Sequence, residues 1–288
     1  MHVRRLRHSG RHLGAVHIQN SIHSQTGPES KHRYRRRTES CRRTILTLII
    51  GLVRLEAPGL SSSPLWSEAV RYLSRERQET IGRLRNPEDR RRSAAAETLF
   101  RWLLTEKFGW DIRQPVRFLR NAAGKPSLQG VHDLEFNLSH AGRWVACAID
   151  SQPVGIDVEQ ILPIDVQGIA GRFFSQRECE ALMKQPAEER LSCFYRLWTL
   201  KESYLKAIGT GLQLPLDSFT VSRDDRHGEQ FFRIEDSEAE PLRLVSKRID
   251  EDHWLSVCAS HSRFPEPLIM HESELYESFL NRMALRHP

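Results

Sequence analysis

Two acidic side chains on a strand-like segment are the first candidates for chemistry in this sequence. The segment "PVGIDVEQI" (153–161) alternates with a period of two, so Ile156 and Val158 face one way while Asp157 and Glu159 face the other. Along a strand, the two carboxylates lie about 7 Å apart. Carboxylates this close repel each other unless a cation or positive groups lie between them. The segment is therefore either part of a cation site or a solvent-exposed strand face.

A second charged set lies on a predicted helix that follows in the chain. In "FYRLWTLKESYLKAIGTG" (194–211), Trp198, Glu202 and Lys206 recur every four residues and share one face. Glu202 and Lys206 can form an ordinary intrahelical ion pair, which stabilises a helix by about 0.2–0.5 kcal/mol. Alternatively, Glu202 is a third carboxylate that meets the two on the strand, since Mg²⁺ accepts a few carboxylate oxygens together with waters and phosphates. Lys201 and Lys206 could then hold phosphate charge.

Weaker candidates for phosphate contact lie in the first half of the chain. Lys125 is in the turn "AGKP", Ser139 and His140 are in "NLSHAG", and Arg92 and Ser93 are in "RRRS" near a predicted helix start. Hydroxyl, imidazole and guanidinium groups donate to anions, and a helix start favours them. Each residue taken alone also fits an ordinary solvated surface. The sequence has no Cys and His set with the spacing of a zinc site.

The predicted secondary-structure elements that carry these residues alternate between strand and helix. "ILTLIIGLVRL" is strand-like, and "NPEDRRRSAAAETLFRWLLTEKFG" has Asn86 as N-cap, Pro87 at the first helical position and Gly109 as the stop. "LEFNLSHAGRWVACAID" predicts a hairpin with its bend at 139–142. The first half of the chain is thus predicted to contain strand, long helix and hairpin in that order.

The second half repeats this layout without repeating the sequence. "SQRECEALMK" begins with a capping box formed by Ser175 and Glu178, and a long helix ends at Gly209 before further strand-like runs. We therefore predict an α+β fold (mixed α/β) with two similar lobes that form a pseudo-dimer within one chain and hold the active site in the cleft between them. The predicted parts are a disordered basic N-terminal extension (1–43), an N-terminal lobe (44–150), a C-terminal lobe (151–265) and a partly helical C-terminal tail (266–288).

Charge is distributed unevenly along the 288 residues. Residues 1–43 hold 11 Lys and Arg against two acids, a net charge of +9, while the remainder holds 32 basic and 35 acidic residues, a net charge of −3. Bulk charge therefore gives no case for nucleic-acid binding by the folded part. Five scattered cysteines without a CxxC pair fit a reducing compartment, so we expect a cytoplasmic protein.

No apolar run reaches the roughly 18 residues of a membrane span. The stretch "TILTLIIGLV" (44–53) follows a basic segment and could pass for a signal peptide. That basic segment is far too long for the start of a signal peptide, and no small-residue cleavage site follows cleanly. A first β-strand is the better interpretation, and we expect no membrane partner.

Taken together, the ordered motifs resemble the 4′-phosphopantetheinyl transferases of the Sfp (surfactin) type. The family pattern is G-I-D-x-E, then about forty residues, then W-x-x-K-E-(S/A)-x-x-K; here it reads "GIDVE" and "WTLKESYLK", and Asp157 and Glu202 are 45 residues apart. "AGKP", "FNLSHAGRW", "RFFSQRECEAL" and "LPLDSF" extend the resemblance. It covers about residues 44–265, is specific over 124–219, and leaves 1–43 without a counterpart.

The resemblance implies an enzyme that moves the phosphopantetheine arm of coenzyme A onto a serine of an apo acyl or peptidyl carrier protein. It implies release of adenosine 3′,5′-bisphosphate, a requirement for Mg²⁺ and a monomer. Because the chain has the long two-lobe form, carriers of nonribosomal peptide or polyketide synthases, and hence antibiotic biosynthesis, are expected.

The resemblance also implies roles for individual residues. Asp157, Glu159 and Glu202 match the metal carboxylates, and Glu202 is also the candidate base, with Lys206 near the diphosphate as the second catalytic residue. The implied coenzyme A contacts are Arg77, Arg92, Ser93, Lys125, Ser139, His140, Lys201 and Lys206. The family often has two lysines before the first long helix, and "SRERQET" has Arg77 and Thr80 there instead.

Three alternatives are open, the first within the same class of enzyme and the other two outside it. The first is an enzyme dedicated to the fatty-acid carrier. The second is a nucleic-acid binder that uses the arginine-rich residues 1–43, whose affinity would be sensitive to salt. The third is a Mg²⁺-dependent nucleotide hydrolase that uses the same carboxylates, although the chain lacks a Walker A loop.

Overall fold

The computed structural model describes residues 48–57, 64–224, 228, 231–235 and 242–284. The extension predicted for residues 1–43 lies outside them. The helices are α1 (Pro64–Val70), α2 (Arg75–Arg83), α3 (Pro87–Phe108), α4 (Val166–Phe173), α5 (Gln176–Met183), α6 (Ala187–Ile208) and α7 (Glu272–Ala284). The strands are β1 (Ile49–Arg54), β2 (Phe118–Arg120), β3 (Pro126–Leu128), β4 (Glu135–Ala141), β5 (Trp144–Asp150), β6 (Gly155–Gln160), β7 (Val221–Arg223), β8 (Phe231–Ile234), β9 (Arg243–Asp250), β10 (His253–Ala259) and β11 (Leu268–His271).

Local sequence rules set the ends of the long helices. The Asn86 side chain accepts a hydrogen bond from the Glu88 N–H at the start of α3, and Pro87 follows it. Helices α3 and α6 both have 22 residues and both end at a left-handed glycine, Gly109 with φ 64° and Gly209 with φ 70°. These predicted ends are confirmed.

The two larger sheets share one arrangement. Their strand orders are β11-β1-β5-β4 and β6-β10-β9-β8-β7, so β1-β5-β4 in the first matches β6-β10-β9 in the second. In each, a first strand, a 22-residue helix and an antiparallel hairpin follow one another along the chain. The fold is thus mixed α/β with two similar halves, as predicted.

The inner faces of the two sheets form a common core, and a long helix covers each outer face. This core contains Leu48, Ile50, Leu52, Ala141, Trp144, Ala146, Ala148, Val154, Ile156, Val158, Leu255, Val257 and Ala259. A glycine allows each helix to approach its sheet. A Cβ on Gly51 would lie 2.8 Å from a Leu103 methyl of α3, and a Cβ on Gly155 would lie 1.9 Å from the Ser203 carbonyl oxygen of α6. The second approach is backbone to backbone, so α6 lies directly against β6.

Two local expectations need correction. The segment predicted as a tail (266–288) is helical over Glu272–Ala284, but its strand β11 pairs in parallel with β1 and extends the first sheet. The bend of the first hairpin is Gly142–Arg143, not 139–142, because β4 continues to Ala141, which pairs with Trp144. Gly142 takes the left-handed φ of 51° that this tight turn requires. Among the described helices, none has the length and apolar character needed to cross a membrane.

Candidate active site

The two predicted acidic strand residues lie between β6 and α6. Because Ile156 and Val158 enter the core between the sheets, Asp157 and Glu159 face α6, where Glu202 also lies. All three carboxylates are nearly buried, with exposures of 4%, 8% and 6% for Asp157, Glu159 and Glu202. The alternative of a solvent-exposed strand face is therefore wrong.

Lys206 connects the helix to both sheets. Its Nζ donates to Asp157 Oδ1 at 2.6 Å, to Ser139 Oγ at 3.2 Å and to the Ile156 carbonyl at 3.2 Å. Ser139 Oγ in turn donates to Asp157 Oδ1 at 2.8 Å and accepts from the Val158 N–H at 3.3 Å. Lys206 thus pairs with Asp157 of β6 rather than with Glu202. The simple intrahelical ion pair is therefore not the arrangement found.

Among the described residues, the three carboxylates of the site face a single positive charge, that of Lys206. Burial, followed by the charge of Asp157, raises the pKa of both Glu159 and Glu202 to about 7, and the positive charge of Lys206 offsets this only in part. Burial alone would lower the pKa of Lys206, but Asp157 and Glu202 outweigh it and raise that pKa. Lys206 therefore stays protonated, and a further cation would relieve the repulsion among the carboxylates.

Two carboxylate oxygens of the site have no donor. Asp157 Oδ2 and Glu202 Oε1 are both buried and without a hydrogen-bond partner in the described structure. An unpartnered buried oxygen is costly, and oxygen is the ligand type that Mg²⁺ takes. No group of three or more His, Cys, Asp or Glu in the described ranges is arranged so that it could hold a metal by itself. The donor set fits Mg²⁺ that is held by one or two carboxylates and completed by waters and phosphates.

A cationic cluster lies beside this site, at the first hairpin. Arg92 of α3 donates through Nη1 to the Gly142 carbonyl at 2.8 Å and pairs through Nη2 with Asp89. Arg77 of α2 donates to Ser93 Oγ at 3.1 Å. We call Arg77, Arg92, Ser93 and His140 the anion cluster.

His140 of the anion cluster is influenced by the charges of the two arginines. Burial lowers its pKa to about 4, and the nearby charges of Arg92, Lys206 and Arg77 act in the same direction. The imidazole is therefore neutral at pH 7. Its Nδ1 is buried without a partner, so a donor or acceptor atom of a ligand could satisfy it.

Two predicted phosphate contacts have other roles. Lys201 is fully buried, and its Nζ donates to Glu178 Oε1 and Oε2 at 2.7 and 2.6 Å and to the Phe219 carbonyl at 2.7 Å. It faces α5 rather than the site, which corrects the expectation that it contacts phosphate. Lys125 donates to the Ala207 carbonyl at 2.9 Å and pairs with Glu135 at 2.8 Å. Its positive charge therefore interacts favourably with the C-terminal end of α6.

Sequence reasoning missed three residues that hold the site residues in place. Asn137 Oδ1 accepts the Ile156 N–H at 3.0 Å and so joins the edges of the two sheets next to the carboxylates. Glu97 is fully buried and pairs with Arg77 at 3.4 Å. Asp89 lies three residues before Arg92, a spacing that indicates an ion pair along one helix face and could have found it.

Comparison with known proteins places this geometry in a class of enzymes. Residues 153–258 match the model described as "4′-phosphopantetheinyl transferase superfamily", and residues 61–152 match the one described as "4′-phosphopantetheinyl transferase, N-terminal". The chain is 39% identical over 199 residues to the 4′-phosphopantetheinyl transferase Sfp of Bacillus subtilis (strain 168), which covers 69% of this chain and 87% of that protein.

Two further relatives come from other lineages. The chain is 35% identical over 190 residues to the 4′-phosphopantetheinyl transferase gsp of Aneurinibacillus migulanus, covering 66% of this chain and 77% of that protein. It is 30% identical over 221 residues to the L-aminoadipate-semialdehyde dehydrogenase-phosphopantetheinyl transferase of Mus musculus, covering 69% and 70%. The chain belongs to the 4′-phosphopantetheinyl transferase superfamily and is an enzyme of that class. Within the class it is of the Sfp type.

Proposed function

We propose that this enzyme transfers the 4′-phosphopantetheine arm of coenzyme A to a serine of an apo carrier protein and releases adenosine 3′,5′-bisphosphate. The observation that carries the proposal is the junction of two unlike charge clusters. Three nearly buried carboxylates lie with Lys206, and the anion cluster of Arg77, Arg92, Ser93 and His140 lies next to them. A polyanionic substrate that needs both a cation and direct cationic contacts fits this pair.

The anion cluster is proposed to bind the 3′-phosphate region of the nucleotide. Arg92 and Arg77 supply guanidinium donors, and charge-assisted hydrogen bonds of this kind contribute roughly 1.5–3 kcal/mol each. His140 stays neutral beside them, so it adds a ring nitrogen without adding repulsion among the cations. Ser93, which accepts from Arg77, and Ser139, which precedes His140 on β4, are proposed to add hydroxyl groups.

Asp157 and Glu202, with Glu159 beside them, would hold Mg²⁺ through the unpartnered oxygens described above. When bound, Mg²⁺ supplies charge that neutralises phosphoryl oxygens in the substrate and in the transition state.

The residues of the chain suit the proton and charge requirements of the transfer. The carrier serine oxygen attacks the β-phosphorus, and the bond from that phosphorus to the bridging oxygen of the diphosphate breaks. The serine proton goes to Glu202, directly or through a water. Without a metal, burial and the charge of Asp157 raise the pKa of Glu202 to about 7, and a bound Mg²⁺ would lower that pKa and weaken the base. Lys206, protonated and anchored on Asp157, stabilises the negative charge that develops on the phosphoryl oxygens.

The carrier class follows from the form of the chain rather than from the site. We expect carriers of nonribosomal peptide or polyketide synthases, with the fatty-acid carrier as the alternative, and a monomeric enzyme in the cytoplasm. Lys125 lies in the β2–β3 turn and donates to the Ala207 carbonyl at the end of α6, and we propose it as an outer coenzyme A contact in addition to that role.

The test is an intact-mass assay. The enzyme is mixed with coenzyme A, Mg²⁺ and a panel of apo-carriers from peptide, polyketide and fatty-acid synthases. We expect the peptide and polyketide carriers to become heavier by one phosphopantetheine and to stay unmodified with excess chelator. Absence of the adduct on every carrier would refute the proposal, whereas an adduct on the fatty-acid carrier alone would support the alternative. Consumption of coenzyme A without any carrier would indicate the hydrolase.

A further inference from the structure

A hydrogen-bond centre joins the two hairpin turns of the molecule. Asp250, at the end of β9, accepts from Trp144 Nε1 at 2.6 Å and from Arg143 Nε at 2.9 Å, both in the first hairpin. Within its own hairpin it accepts from the Asp252 N–H at 2.8 Å, and His253 Nδ1 lies 2.8 Å from its Oδ1. One carboxylate of the second sheet thus binds the turn of the first.

His253 completes the contact with that turn. Its ring is fully buried, and a Cβ on Gly142 would lie 2.3 Å from His253 Nε2, so the turn backbone rests against the ring. Asp250 therefore holds the turn in two ways: directly through Arg143 and Trp144, and indirectly by orienting His253.

The same turn carries part of the anion cluster. The Gly142 carbonyl accepts the hydrogen bond of Arg92 Nη1 at 2.8 Å, and His140 precedes the turn by two residues on β4. A shift of the turn would therefore move the acceptor that orients Arg92 and would move His140 with it. The positions of residues that contact a ligand depend on the residues that hold them from behind.

We propose that Asp250 is a positioning residue for the 3′-phosphate of coenzyme A, acting through the Gly142–Arg143 turn and the adjoining Trp144 on Arg92 and His140. This inference rests on the proposed function, because it takes the anion cluster as the binding site of that phosphate. Asp250 itself does not touch the substrate. Its charge is well supported: burial alone would raise its pKa, but the bonds from Trp144, His253, Asp252 and Arg143 outweigh burial and hold the pKa well below its usual value.

The experiment compares two ligands that differ only in the 3′-phosphate. Dissociation constants of coenzyme A and 3′-dephospho-coenzyme A are measured by calorimetry for the full-length enzyme and its variants. Asp250→Asn should weaken coenzyme A by about tenfold, as loss of an outer hydrogen-bond partner commonly does, and should leave 3′-dephospho-coenzyme A unchanged. Arg143→Gln, a milder change in the same turn, should act in the same direction with a smaller effect.

Two further variants separate the possible failures. Arg92→Gln removes a direct contact, and Asp252→Asn is the matched control, because its carboxylate is exposed and lies 3.9 Å from Arg143. If Arg92→Gln weakens coenzyme A selectively but Asp250→Asn does not, the positioning role is refuted while the phosphate site stands. If Asp250→Asn is selective and Arg92→Gln is not, the turn acts through His140 and the positioning role stands. If neither is selective, both this inference and the assignment of the anion cluster fail.

Folding does not confound the comparison. A general loss of structure in Asp250→Asn would weaken both ligands equally, so binding is measured at a temperature where urea unfolding shows the variant to be folded. Under those conditions, weaker binding of both ligands with an unchanged ratio of the two dissociation constants overturns the proposal. A double variant adds a coupling test. If Asp250 acts through Arg92, Arg92→Gln with Asp250→Asn should weaken coenzyme A no more than Arg92→Gln alone, whereas additive losses would assign its effect to His140.

Discussion

Lys201→Met separates the roles of the two lysines on α6. Lys201 is fully buried and bonds to both oxygens of Glu178, which also accepts the N–H groups of Val221 at 2.8 Å and Ser175 at 2.8 Å. Removal of one partner of a buried pair leaves an uncompensated charge and typically costs 3–5 kcal/mol, so we expect a loss of about 4 kcal/mol. A domain is usually stable by only about 5–15 kcal/mol, so this loss is large.

The assay is urea unfolding at 25 °C followed by tryptophan fluorescence, with calorimetric binding of coenzyme A at a temperature where the variant is folded. We expect a lower midpoint and an unchanged dissociation constant. The double variant Lys201→Met with Glu178→Gln removes both charges and keeps an acceptor oxygen for the Val221 or Ser175 N–H, so it should recover part of the stability. Wild-type stability together with tenfold weaker binding would refute our assignment and restore Lys201 as a phosphate ligand.

Three further outcomes are expected. Lys206→Met should lower kcat by about 10²–10³-fold, the usual effect of losing one group that stabilises developing charge. It should also lower the urea midpoint, because the nearly buried Asp157 carboxylate loses its partner. An unchanged kcat at a temperature where the variant is folded would contradict the catalytic role. Gly155→Ala should destabilise the protein by about 3 kcal/mol or more, because its Cβ would lie 1.9 Å from the Ser203 carbonyl oxygen. Gly51→Ala is the matched control: its Cβ meets only a movable methyl, and it should cost about 1 kcal/mol. Equal urea midpoints for the two variants would contradict the close approach of α6. Because the pKa of Asp250 is lower in the folded protein, the stability that this carboxylate contributes is present above its unfolded pKa of about 3.9 and is lost as pH falls below that value. Asp250→Asn should therefore lower the melting temperature more at pH 7 than at pH 3. The reverse order would contradict the depressed pKa.

Comparison of the two lobes shows why, among the described residues, the carboxylate site lies in the second lobe and not in the first. Gly155 and Gly51 occupy matching positions on β6 and β1, so the counterparts of Asp157 and Glu159 are Val53 and Leu55. Both counterparts are buried and apolar. The first half keeps the scaffold of strand, helix and hairpin but has no carboxylates there, so its contribution to the active site is the anion cluster.

Local sequence patterns are enough to show which residues share an element. A period of two placed Asp157 and Glu159 on one face of a strand, a period of four placed Glu202 and Lys206 on one face of a helix, and Gly209 ended that helix. These are local rules, which depend on backbone geometry and not on the rest of the molecule. The motif spacing then indicated the family.

The contacts that each face makes depend on tertiary packing. Lys201 and Lys206 lie five residues apart on α6, about 140° around the helix, so they point to different neighbours. Which neighbour each side chain meets depends on how α5 and β6 pack on the helix, and that packing involves contacts far apart in the sequence. In the same way, β11 joins the first sheet from the far end of the chain, and Asp250 reaches the turn at Gly142 from the other lobe. Local periodicity carries no information about such long-range pairings, because they are set by burial of the common core between the two sheets.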